Sequence, residues 1–234
     1  MTTLVFFHGW GASGRVWEQQ VAAFGHRLTV IAPTVPAWEV GWFADFLQQV
    51  PFPETVLVGW SLGGMLLLEA LSRLAGPPPG GLVLVGVAPV FTRRPDYPWG
   101  QPLAAVRAMR RALTKNPQPV VAGFVEQCLA AGEAAFASQA RAAFASADNA
   151  GNLATGLDYL LVQDLRPLLP GLPAGAVLIQ GEEDRIVEPG HGRFLEEQLA
   201  GARLNLLPGA GHLPFLTQAS AVNGILEQCL STAS

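Results

Sequence analysis

Six short apolar runs punctuate the chain: TLVFF from Thr3, RLTVIA from Arg27, TVLVG from Thr55, GLVLVGVA from Gly81, GAVLIQG from Gly175 and ARLNLLPG from Ala202. Most are apolar at successive positions rather than at alternate ones, the pattern of strands covered on both faces in a parallel sheet. Between the early runs lie segments of helical length, Val16 to Phe24, Trp42 to Gln49 and Leu62 to Leu74, the last stopped by Gly76 and three prolines. Strand and helix alternate, which predicts an α/β fold, a mostly parallel sheet of about six strands flanked by helices with right-handed crossovers.

The rhythm breaks after the fourth run. From about Phe91 to Pro170 no good strand pattern appears, only Ala-rich helical stretches cut by Pro and Gly, and the strand pattern resumes at Ala176. The expected organisation is a core of residues 1–91 and 171–234 with a helical cap, residues 92–170, inserted into the same domain.

Composition narrows the class. At 50% hydrophobic and 14% charged, the 234 residues can bury one sizeable core. No apolar run approaches the ~18 residues of a membrane span, so no membrane partner is expected. The chain enters its first strand without a basic leader, so a cytoplasmic protein is expected. A net charge of −4 speaks against general nucleic-acid binding. Cys128 and Cys229 stand far apart and read as idle buried thiols, with no metal site.

The segment VLVGWSLGGMLLLEAL carries the first candidate chemistry. Gly59-Trp60-Ser61-Leu62-Gly63 fits G-x-S-x-G where a strand pattern gives way to a helix pattern, the context in which this motif makes a nucleophile elbow. The turn is tight enough to need small neighbours, and it leaves the Ser61 hydroxyl at a helix N-terminus that favours developing negative charge. Helix capping is the other use of a serine at such a place. A serine nucleophile needs a base and an acid to orient it. Both lie later in the chain, in loops after strand patterns. Glu182, Glu183 and Asp184 follow AVLIQG, and His212 sits in PGAGHLPF. His26 and His191 read as surface residues, and His8 as a structural one. Oxyanion donors would be the N–H of Leu62, next after the serine, and an N–H from the loop after the first strand, at Trp10.

FFHGWG, GWSLGG, GEEDRIV and GAGHLPF together resemble the α/β-hydrolase serine esterases. HGWGASGRVW, LVGWSLGGMLLLEAL and GLDYLLVQDLRPLLPGLPAGAVLIQGEEDRIVEP are similar, in order and wording, to the pimeloyl-acyl-carrier-protein methyl ester esterases of biotin synthesis. The resemblance implies hydrolysis of the methyl ester on a carrier-bound acyl chain, with no cofactor. It assigns Ser61 as nucleophile, His212 as base and Asp184 as its acid, leaving Glu182 and Glu183 as a solvated face. It further implies substrate contacts at Trp10, Leu62 and Phe124. Two departures stand out: members of that family begin with a β-hairpin and carry a P-G-x-G-x-S turn, and this chain starts at the strand bearing His8 and lacks the turn after TVIAPTVPAW.

Arg107, Arg110, Arg111 and Lys115 fall on one side of a helix pattern between Pro102 and Pro117. Such a stripe is either a solvated face or, with the resemblance, a landing surface for an acidic acyl-carrier protein. Other readings of the chain are a general short-chain esterase, a lyase or C–C hydrolase using the same triad, or a ligand receptor on a hydrolase fold.

Overall fold

A computed structural model describes residues 2–144 and 150–232; positions 1, 145–149, 233 and 234 of the ranges expected above fall outside them. Six strands, β1 (Thr3–Phe7), β2 (Thr29–Ile31), β3 (Thr55–Trp60), β4 (Gly81–Val85), β5 (Val177–Gly181) and β6 (Arg203–Leu207), form one sheet in the order β2-β1-β3-β4-β5-β6. Every pairing is parallel. Among the described residues the first strand along the chain is β1, which leads into His8.

The pleat decides which helices cover which face. Gly81 pairs with Val56, and a Cβ on Gly81 would point at Cys229 of α10 (Ala219–Thr232), whereas a Cβ on Gly59 would meet Gly64 and Leu67 of α3 (Ser61–Arg73). Residues 56 and 59 have opposite parity, so α10 and α3 lie on opposite faces. α1 (Glu18–Phe24) packs against α10, and Phe6 and Trp60 meet Trp17 and Phe215 on that side. α2 (Val40–Leu47) packs against α3, and Phe7 of β1 meets Trp42, Phe43 and Phe46 there. With aromatic rings on both sides, β1 and β3 are fully buried, which is why their sequences do not alternate.

Between β4 and β5 the described residues contain α4 (Leu103–Leu113), α5 (Pro117–Cys128), α6 (Ala137–Phe144) and α7 (Ala150–Val162), with 3-10 turns at Ala131–Phe136 and Arg166–Gly171. α5 starts where Asn116 accepts the Gln118 N–H and Pro117 supplies a preset first residue. Tyr159 of α7 donates to Glu69 of α3 at 2.7 Å, which ties this segment to the helix that begins at Ser61. α8 (Pro189–Gln198) and α9 (Pro214–Thr217) complete the helices. Among the described residues, no helix is long and apolar enough to cross a membrane.

Candidate active site

All the chemistry collects at the carboxyl edge of the sheet, where β1, β3, β4, β5 and β6 release their loops. Ser61 follows β3 directly and, among the described residues, is alone in having positive φ without being glycine, at 52°. Three glycines make that conformation possible. A Cβ on Gly59 would lie 2.6 Å from Gly64 Cα, one on Gly63 2.2 Å from the His8 carbonyl, and one on Gly64 2.3 Å from Val87 Cγ2. The strand-to-helix reversal is therefore packed against backbone at Gly59 and Gly63 and against the Val87 side chain at Gly64, and any side chain there would push its walls apart.

His212 Nε2 lies 3.0 Å from Ser61 Oγ, and its Nδ1 lies 2.7 Å from Asp184 Oδ2. The carboxylate accepts the Nδ1 proton, so Nε2 is left to accept from the serine. Asp184, 3% exposed, also accepts the Ile186 and Val187 N–H groups on Oδ1, each at 2.8 Å, and the Gln180 amide on Oδ2 at 3.2 Å. Four donors fix its orientation. Glu182 and Glu183, the rival acids, are exposed. The imidazole's backbone is fastened as well: the His212 N–H donates to the Cys128 carbonyl at 2.7 Å, and Trp60 Nε1 donates to the His212 carbonyl at 3.0 Å.

His8 has a structural role, as expected. It accepts the Val35 N–H on Nε2 and donates from Nδ1 to Gly9 O, each at 2.8 Å, and burial pushes its pKa down to about 4, so it stays neutral. A Cβ on Gly9 would stand 3.0 Å from Ser61 Cβ, so the loop carrying Trp10 lies against the serine. Trp10 lines a cavity of about 320 Å³ that opens from Ser61. Its indole donates to Leu153 O at 2.8 Å, and its ring meets Phe124 edge-on at 5.0 Å. Phe124, Val106, Met109, Leu157 and Leu160 complete an apolar wall, with Gln101 and Gln127 as its amides. The Leu62 side chain does not line this space. It stands, with Trp10 and Trp38, close against Gly156, leaving its N–H for the oxyanion role expected of it.

Two expectations need correction. His191 is not a surface residue. α8 opens at Pro189 and turns His191 inward, where it shares a 2.7 Å hydrogen bond with the Tyr97 hydroxyl and burial holds its pKa at about 4. The basic stripe is broken. α4 ends at Leu113, so Lys115 lies in the turn before Asn116, and Arg110 is clamped by two bonds to Asp158, at 2.8 and 2.9 Å. Arg107 and Arg111 face outward from α4, and Lys115 is exposed as well.

Sequence patterns gave no hint of Gln180 or of the docking partner Cys128. Trp60 and Gly86 are both visible in the sequence. Trp60 is the variable residue of the motif itself. Gly86 has φ of 52°, and a Cβ there would come 3.0 Å from His212 Nδ1, so the glycine after β4 clears room for the acid–base pair.

A family model described as "Alpha/beta hydrolase family" matches residues 4–225. The chain is 31% identical to a pimeloyl-[acyl-carrier protein] methyl ester esterase of Chromobacterium violaceum over 98% of this chain and 94% of that protein. In structure it is similar to an esterase from Exiguobacterium antarcticum, with a TM-score of 0.90 at 22% identity, covering 99% of this chain and 92% of the other. It also superimposes on a bromoperoxidase from Bacillus anthracis, with a TM-score of 0.87 at 22% identity over 98% and 92% of the two chains. These two structures, differently named, share the architecture.

Proposed function

The chain belongs to the alpha/beta hydrolase family, and from that premise we propose that it is a serine carboxylesterase with Ser61 as nucleophile, His212 as general base and Asp184 as orienting acid. The observation that carries this reading is the unbroken hydrogen-bonded relay from Asp184 through His212 to Ser61, ending at the mouth of an apolar cavity. As Ser61 Oγ bonds to the ester carbon, its proton passes to His212 Nε2 and the carbonyl oxygen becomes an oxyanion, held by the N–H groups of Leu62 and the Trp10 loop. The tetrahedral species collapses as His212 returns the proton to the departing alkoxide, which leaves as the alcohol. Water then attacks the acyl carbon and gives a proton to His212, and as the bond to Ser61 Oγ breaks His212 returns that proton to Oγ, releasing the acid and restoring the serine hydroxyl.

The substrate we propose is the methyl ester of a pimeloyl group on acyl-carrier protein, the compound for which the Chromobacterium relative is named. The cavity suits it. Its apolar wall accepts a methylene chain, and at ~0.8 kcal/mol per buried CH₂ about five methylenes would contribute ~4 kcal/mol. The segment bearing α4 to α7 acts as a cap over the chain, with Val106 and Met109 of α4 turned to the cavity and Arg107 and Arg111 turned to solvent, where an acidic carrier would dock. A reaction on a carrier-bound acyl chain also fits a cytoplasmic address. The test is genetic: expressed in a bacterium deleted for its biotin-pathway methyl esterase, the chain should restore growth without biotin, and its Ser61→Ala variant should not. No growth with the folded, esterase-active wild type would remove the substrate assignment and leave the esterase.

A further inference from the structure

Glu133 lies in the 3-10 turn after α5 and takes no part in the chemistry above, yet its side chain is buried, with the residue 5% exposed. Burying a carboxylate is costly unless its oxygens do something that an apolar side chain of the same size could not. Oε2 accepts two N–H groups from two parts of the chain, Ala130 at 2.8 Å and Gly211 at 3.0 Å, and Oε1 has no hydrogen-bond partner among the described residues. Gly211 immediately precedes His212, whose own N–H donates to Cys128 at the end of α5. The approach is close enough to exclude any side chain, since a Cβ on Gly211 would stand 2.4 Å from Cys128 O, 2.7 Å from Ala130 N and 2.8 Å from Glu133 Oε2. Two consecutive N–H groups of the loop carrying the imidazole are thus fastened to residues 128–133, on the segment that also supplies Phe124 to the cavity wall.

We propose that Glu133 is a positioning residue: its carboxylate, by holding the Gly211 N–H, sets the backbone from which His212 reaches Ser61 and makes the base and the acyl-cavity wall one body. A buried side-chain oxygen that accepts a backbone N–H converts a Gly-rich loop into a fixed mount. The inference rests on His212 being the general base.

The test compares Glu133→Met, which keeps the volume and removes the acceptor, with Glu133→Gln, which keeps a carbonyl acceptor, on a small soluble p-nitrophenyl ester beside Ser61→Ala. Glu133→Met should melt cooperatively, lose about 10- to 100-fold in kcat, as misplacement of a reacting group does, and leave KM nearly unchanged, while Glu133→Gln restores most of kcat. A folded Glu133→Met with wild-type kcat, or a Glu133→Gln as impaired as Glu133→Met, would overturn the proposal. Should Glu133→Met not fold, the wild-type protein decides: the Gly211 amide proton should exchange far more slowly than that of exposed Gly209, and equal exchange would overturn it. Activity surviving in Ser61→Ala would instead fault the underlying esterase reading.

Discussion

Ser61 is held in a left-handed conformation that costs an L-residue roughly 1–2 kcal/mol, at φ of 52°. The surrounding packing imposes it, because Gly59, Gly63 and Gly64 let β1, β3 and α3 approach within distances no Cβ would tolerate. The strain aims the hydroxyl at His212 rather than into the helix it begins. The G-x-S-x-G spacing therefore reads directly as geometry, each glycine standing where a named backbone atom would be struck. The acid is a different case. Three carboxylates follow one strand, and spacing does not separate them; burial and four donors single out Asp184, and those depend on Gln180 and on the turn to Val187. Asp184→Asn should lower kcat by several powers of ten, serine proteases losing ~10⁴ to the equivalent change, while Glu183→Gln leaves it unchanged. Steady-state kinetics on a soluble ester check both, and the reverse ranking would move the acid role to Glu183.

At the scale of elements, α4 shows where pattern and structure part. Its amphipathic face is legible, and Val106 and Leu113 are buried as the periodicity requires. Its end is not. Thr114 donates back to Arg111 O, and the Asn116-Pro117 pair opens the next helix, so a stripe drawn through Lys115 runs past the helix that would support it. Arg110 spends its charge on Asp158 of α7, a long-range pairing that local sequence does not encode. The outward charges of α4 are Arg107 and Arg111. Reversing both to Glu should lower kcat/KM for a carrier-bound ester at low salt, with the defect shrinking as salt screens the encounter. Hydrolysis of a small ester should not change. Arg110→Glu, by contrast, breaks the tie between α4 and α7 and should lower the melting temperature. Carrier-ester kinetics unaffected by the double reversal at low salt would make this face merely solvated.

Across the whole molecule, six apolar runs became six parallel strands: the inner strands β1, β3, β4 and β5 are buried on both sides and announce themselves by composition, and the half-exposed edge strands β2 and β6 still carry short apolar runs. What local pattern could not supply are contacts between distant residues: Tyr97 meeting His191, Glu133 meeting Gly211, Trp60 holding the His212 carbonyl. His191 lies inward because α8 packs on β5 and β6, a contact that its local sequence does not encode. The same long-range contacts gather Ser61, His212 and Asp184 from positions 151 and 28 residues apart into one relay. Whether that relay activates the serine is measured most directly by labelling with a fluorophosphonate ester, which phosphonylates only an activated hydroxyl. Mass spectrometry should find one phosphonyl group per chain, on the peptide containing Ser61, with esterase activity falling in proportion to labelling and Asp184→Asn labelling far more slowly. Esterase activity that survives complete labelling of Ser61, or inactivation with the label on another residue, would contradict the account.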